Sequence, residues 1–222
     1  MGEAIAAVLA YAVGVGLSPI PAVAGILVLL SVRARVNGPL FLAGWMAGLA
    51  TMMTFVLLVA DRVGAGSSDA ADDGISWMRI VLGIALVLAA ARKWRRRSGA
   101  GAEPPPAWMA RIEGLRPPQA FGVGLLLSAN PKNLALTLGA GVSLAELDVA
   151  ARQVGTAVAL FVFVGSVGLI AAVAFGLAGG AAARARLDEA RSSLVVHNSA
   201  IVAVMYLVFG ALLISRGLAP AR

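Results

Sequence analysis

Residues 125–139 read LLLSANPKNLALTLG. A helix breaker, a positive charge and two amides, Asn130-Pro131-Lys132-Asn133, interrupt a run that is otherwise apolar or small. The flanks decide what the run is. From 119 to 144 it is long enough for a bilayer-spanning helix, which takes about 20 residues. Lys132 lies about twelve residues from either end, roughly 18 Å at the helical rise. That is beyond comfortable snorkelling, and a charge at such depth costs at least about 2.5–3.5 kcal/mol on insertion scales. Helix packing alone does not require such a residue.

The rest of the chain agrees with a membrane setting. Of its 222 residues, 60% are apolar and only 13% are charged, against roughly a quarter charged in soluble domains. The mean hydropathy is +0.90. There is no cysteine, so neither a disulfide framework nor a thiolate metal site is expected. The net charge of +7 sits in short loops between apolar runs. No basic soluble module exists to hold nucleic acid, so that partner is excluded. No Lys or Arg precedes the first apolar run, which is also too long for a secretory signal. Ala6 stands where N-myristoylation needs Ser or Thr. The first segment is therefore expected to remain as a span.

Six spans are read, at 4–31, 38–60, 76–91, 119–144, 153–178 and 197–215, giving an all-α membrane protein. Trp77 and Trp94 bracket the short third span as interfacial anchors do. Gly44-Trp45-Met46-Ala47-Gly48 is a small-xxx-small pattern for close helix packing. The loops after spans one, three and five hold 12 of the 18 basic residues. They include Arg33 and Arg35, the run 92–97 with Arg111 and Arg116, and Arg184, Arg186 and Arg191. Acidic residues such as Asp61, Asp72, Glu146 and Asp148 mark the opposite loops. Positive-inside bias then puts both termini outside, in a multi-pass protein of the inner (plasma) membrane.

Residues 98–118, with Pro104-Pro105-Pro106, read as a cytoplasmic linker between a first unit, 1–97, and a second, 119–222. In the linker, Trp108, Met109, Ile112 and Leu115 share one helical face, which suits a short helix lying on the inner membrane surface. The basic run 92–97 serves as a topology determinant or touches anionic headgroups.

The two units carry a repeat. An offset of 110 residues places Gly14 on Gly124, Leu17 on Leu127, Ser18 on Ser128 and Pro21 on Pro131. Both Ser-x-x-Pro elements fall midway along the first span of their unit. With three spans per unit the second enters the membrane from the opposite side, so the expected fold is two inverted three-helix repeats. Broken helices of such repeats meet at the midplane and form the substrate site.

Pro19, Pro21 and Pro131 free backbone carbonyls inside the membrane, where bare carbonyls are not tolerated against lipid. No Asp or Glu lies within any of the six spans. Lys132 must then meet freed carbonyls, cavity water or a bound anion, or lose its proton. The lack of carboxylates also argues against a metal exporter, and no metal or other cofactor is expected. The candidate substrate-binding residues are Lys132, Asn130, Asn133, Pro131, Ser18, Pro19 and Pro21. The other reading of these residues is a structural knot that ties two broken helices together. His197, at the start of the last span, reads as an interfacial residue. No carboxylate pair, Ser-His-Asp set or metal cluster is placed for catalysis, so no catalytic residue is assigned and the chain is not expected to be an enzyme.

Pro19-Ile20-Pro21, Asn130-Pro131-Lys132 and the Gly-rich GALLISRG ending at Gly217 together resemble the LysE superfamily of small exporters. GLSPIP, SANPKNLAL and the basic third loop with its three prolines are most similar to the GAP family, the glycolipid-addressing proteins of mycobacteria. The resemblance covers essentially the whole chain. It implies a six-span bundle of two inverted repeats that moves a complex glycolipid, such as a glycopeptidolipid or sulfolipid, to the envelope surface. Ile20 stands where amino-acid exporters of the superfamily usually carry Gly, which puts an amino-acid substrate in doubt. Export of a small amino or organic acid and a non-transporting scaffold role remain the alternatives. The expected partners are a lipid or a polar or anionic small molecule, and membrane lipids. A larger lipid-export machine and a second copy of the chain are the candidate protein partners. With no Walker motif, energy comes from a gradient or from a partner machine.

Overall fold

A computed structural model describes residues 2–63, 69–97, 112, 114–147 and 149–218. Among them all regular structure is helical: α1 (Gly2–Gly16), α2 (Pro19–Leu30), α3 (Ala34–Val63), α4 (Asp69–Arg97), α5 (Pro117–Ser128), α6 (Pro131–Ala145), α7 (Ala151–Ala178) and α8 (Gly180–Leu218). The linker prolines 104–106, Trp108 and Met109 lie outside the described residues, as do the side chains of His197 and Asn198.

Two helices, Ala34–Arg62 and Ala151–Ala178, are long and apolar enough to cross a membrane alone. Two bent pairs make up to two more spans: α1 with α2, bent by 56°, and the arms Gly180–Val196 and Ala200–Ser215 of α8, bent by 64°. The prolines explain the first bend, since Pro19 cannot continue a hydrogen-bond ladder and holds Ser18 extended (φ −75°, ψ 111°). A second break separates α5 from α6, where Asn130 is extended (φ −67°, ψ 153°) before Pro131.

The segment after α7 departs from the expected basic loop. Gly180, at φ 58°, turns the chain directly into the first arm of α8. Its Ala-, Leu- and Arg-rich sequence is strongly helix-forming. Ala183 and Leu187 are buried on the inner face, and Arg184 and Arg186 are exposed on the outer one. The linker also differs from a surface helix at its end. Ile112 is 3% exposed and joins the hydrophobic core, and the Asn37 side chain donates to the Leu115 carbonyl at 2.9 Å.

Tyr11, Phe41, Trp45, Leu49, Met53 and Phe161 are fully buried where α1, α3, α6 and α7 meet. Lipid is as apolar as leucine, so close approach rather than water exclusion must hold such helices together. Glycine supplies it at three crossings. In α3 against α5, a Cβ on Gly44 would strike the Phe121 carbonyl, one on Gly124 the Phe41 carbonyl, and one on Gly48 the Ser128 hydroxyl. The Gly44–Gly48 pattern thus packs within the chain. In α1 against α7, Gly16 faces the Val164 carbonyl and Gly168 the Gly16 carbonyl. In α4 against α8, Gly83 and Gly210 each face the other's carbonyl oxygen at 2.8 Å from the built Cβ.

Several of the helix pairings are reciprocal, though others, such as α2 on α3 and α7 on α8, are not. α3 packs on α5 and α6, while α7 packs on α1 and α2. α1 meets α6 and α2 meets α5. α3 meets α7, and α4 meets α8. Exchanging α1, α2, α3 and α4 with α5, α6, α7 and α8 leaves each of these reciprocal contacts in place.

Candidate functional site

The two breaks lie against each other. Ser18 and Asn130 are both helix N-caps and Pro19 and Pro131 both first helical residues, 112 positions apart. The caps therefore correspond at 112, whereas the sequence identities pair at 110. At the cap register Ile20 is the counterpart of Lys132.

The first break is poor in donors. A serine N-cap usually accepts from the N–H of the second or third helical residue. Here Pro21 removes the third of these N–H groups, Pro19 lacks the first, and only the Ile20 N–H is left. Ser18 makes no side-chain cap bond, and its hydroxyl instead donates to Asn133 Oδ1 at 3.0 Å. Upstream, the Ser18 N–H bonds the Val15 carbonyl at 3.1 Å, which Pro19 would otherwise leave bare. The Gly14 carbonyl thereby loses the donor that a continuing α-helix would bring to it.

Lys132 takes that carbonyl. Its Nζ donates to the Gly14 oxygen at 2.8 Å and lies 3.7 Å from Met205 Sδ on α8. Lys132 is 6% exposed. As the second residue of α6 it sits at the positive end of its own helix, an unfavourable place for a cation. The side chain spans from that end to the negative end of α1, where the field favours it. A carbonyl is a dipole and not a counter-charge, and no ion pair of Lys132 is present among the described residues.

The second break caps itself. Asn130 Oδ1 accepts from the Asn133 N–H at 3.0 Å, and its Nδ2 donates to the Leu127 carbonyl at 2.9 Å. Both polar atoms of Asn130 therefore hold the turn. Asn133 is different. It is fully buried, its Oδ1 is taken by Ser18, and its Nδ2 has no partner. Trp45 Nε1 and Thr137 Oγ1 are also buried without one. Leaving such a group unmade costs about 1–3 kcal/mol.

Of the residues singled out in the sequence, Ser18, Lys132 and Asn133 are buried in one junction. Pro19 and Pro21 are buried and shape it, while Pro131 is exposed at the start of α6. Gly14, Trp45 and Met205 complete the surroundings and were not signalled as site residues. Among the described residues no group of three or more His, Cys, Asp or Glu could hold a metal.

Two apolar spaces flank the junction. An inner cavity of about 200 Å³ is lined by Ser18, Pro21, Trp45, Leu169, Leu187 and Leu194 among others. A wider groove of about 610 Å³ lies under the bend of α8, between Leu17, Trp94, Leu194, Ile201, Val204 and Met205. Leu194 lines both.

A family model described as Sap, sulfolipid-1-addressing protein, matches residues 8–219. No curated protein and no solved structure matches the chain.

Proposed function

The chain belongs to the sulfolipid-1-addressing protein family, and on that premise we propose that it exports a cell-envelope glycolipid, passing the polar or anionic head through a midplane site between its two broken helices. The observation that carries this reading is the buried Lys132 ammonium, held by the Gly14 carbonyl and without a carboxylate partner among the described residues. The N-termini of α2 and α6 meet beside it, and both ends are positive. Asn133 Nδ2 is a further donor without an acceptor. An acceptor-rich anionic head complements such a junction; a metal cation does not.

The transport reading takes six spans in the plasma membrane, arranged as two inverted three-helix repeats with both termini outside, in the manner of the LysE superfamily. The reciprocal helix pairings and the matched caps of α2 and α6 support a two-fold relation between the units. With three spans per unit, that axis lies in the membrane plane.

Lys132→Met tests the reading. Surface glycolipid, measured by extraction of the outer envelope and mass spectrometry, should fall at least tenfold while the protein stays at its normal level in the membrane. Normal delivery by this variant would remove the site. Uptake of a labelled amino acid into inside-out vesicles would favour small-solute export instead. A chain lacking 98–110 that fails to deliver, beside a Lys132→Met variant that delivers normally, would make the protein a scaffold.

A further inference from the structure

We propose that the groove under the bend of α8 holds an acyl chain of the transported lipid while its anionic head lies at Lys132. This rests on the export reading above and adds to it where the tail runs. The groove, at about 610 Å³, has the volume of a small-molecule site, about 300–1,000 Å³. Among the described residues no charged side chain lines it, and apart from the Ser193 hydroxyl and the Trp94 indole its lining is hydrocarbon and sulfur. Leu17 and Val204 on its walls are 59% and 51% exposed, so it opens on the lipid-facing side.

What fixes the occupant as an amphiphile is the groove's inner end. Met205 forms part of its wall and puts Sδ 3.7 Å from Lys132 Nζ. An apolar slot thus leads directly to a buried cation that has no carboxylate on the described chain. A tail alone would leave that charge unanswered, and a free anion would leave the slot unfilled; an anionic lipid answers both. Methionine suits this position, since its unbranched thioether adapts to a passing chain. The adjoining cavity, only about 200 Å³, is separated by Leu194 and bounded by Ser18 and Trp45, so the groove is the better fit for the tail.

The test uses the full-length protein in nanodiscs carrying phosphatidylglycerol with a diazirine on one acyl chain. Illumination should label peptides covering 193–205 above all other lipid-facing helices. Ala200→Phe and Val204→Phe, which fill the groove from opposite ends of one helical turn, should each cut that labelling at least fivefold. Lys132→Met should cut it for phosphatidylglycerol and leave it unchanged for phosphatidylcholine bearing the same chain. Even labelling of every lipid-facing helix, or labelling indifferent to both groove-filling variants, would overturn the proposal. So would efficient disulfide dimerisation of Val204→Cys, since the groove would then face a second copy. The two readings separate cleanly. If Lys132→Met stops delivery while groove filling changes neither labelling nor delivery, export stands and the acyl groove falls. If groove filling stops labelling and delivery while Lys132→Met delivers normally, the groove remains a lipid site and the head site falls.

Discussion

Lys132 Nζ lies 2.8 Å from the carbonyl oxygen of Gly14, a residue 118 positions earlier in the chain. The contact depends on Pro19, which is neither its donor nor its acceptor. Pro19 has no N–H, so the Ser18 N–H is drawn to Val15 and Gly14 is left for the lysine.

Pro19→Ala should therefore release Lys132 from Gly14 while leaving both of those residues in place. The new N–H at position 19 can bond the Val15 carbonyl and release the Ser18 N–H for Gly14, while Pro21 still leaves the Leu17 carbonyl without its helical donor. Lys132→Met alone strips the Gly14 carbonyl of its donor and should destabilise the protein by about 1–3 kcal/mol. In the Pro19→Ala background the same change should cost less than half as much. Thermal unfolding of the four proteins in detergent gives the coupling. Equal costs in both backgrounds would mean that proline does not control the lysine's acceptor.

The Ser18–Asn133 pair separates function from stability. Ser18→Ala removes one bond and leaves the buried Asn133 amide wholly unpaired, a loss of about 1–2 kcal/mol. Asn133→Leu removes the orphaned Nδ2 but strands the buried Ser18 hydroxyl, whose acceptor was the Asn133 Oδ1. The Ser18→Ala/Asn133→Leu double variant makes both partners apolar, a change that is often neutral or stabilising. The double variant should keep the melting temperature within a few degrees yet abolish delivery of surface glycolipid. A variant that delivers normally would mark Asn133 as a structural tie only.

The glycine crossings make a sharper stability prediction. Gly44→Ala and Gly124→Ala each put a methyl group against a backbone carbonyl of the partner helix, which neither helix can move aside cheaply. Each should destabilise by about 1–3 kcal/mol or more. Gly122→Ala meets nothing within 4 Å and should be neutral, or gain up to about 1 kcal/mol in helix propensity. If all three melt together, the α3–α5 crossing is looser than described.

The breaks themselves are legible in the sequence, because proline acts on its own neighbours. Pro-x-Pro and Asn-Pro-Lys each mark a helix start whatever surrounds them. The cost of a buried lysine is equally local, so Lys132 announces itself. What the sequence does not reveal is set by three-dimensional closeness. Gly14 offers a backbone atom, which has no signature. Met205 reads as ordinary span filler, 73 residues from the side chain it touches. The first arm of α8 is misread as a loop because its arginines dominate the count, while the apolar stripe through Ala183, Leu187 and Leu194 that docks it is sparse. The Ser-x-x-Pro correspondence is visible in the sequence, but its offset differs by two residues from that of the two caps. Identical Ser and Pro residues pull the alignment to 110, whereas the caps, one a serine and the other an asparagine, correspond at 112.

Orientation can be read directly because the chain contains no cysteine, so any cysteine introduced is the sole reactive thiol. Val32 is 98% exposed between α2 and α3, next to Arg33 and Arg35. Ala182 is exposed near the start of α8, beside Arg184 and Arg186. Ala150 is exposed just before α7, a turn beyond Glu146. Basic flanks are retained in the cytoplasm, so the first two positions should face inward and the third outward. In intact spheroplasts a membrane-impermeant maleimide should label Ala150→Cys and spare Val32→Cys and Ala182→Cys, which should react only after permeabilisation. The inverted arrangement proposed above requires this split, since the equivalent connections of two same-facing units would alternate differently. Labelling of Val32→Cys and Ala150→Cys from the same side would leave the two broken helices entering from one face, and the midplane site would lose its two-fold basis.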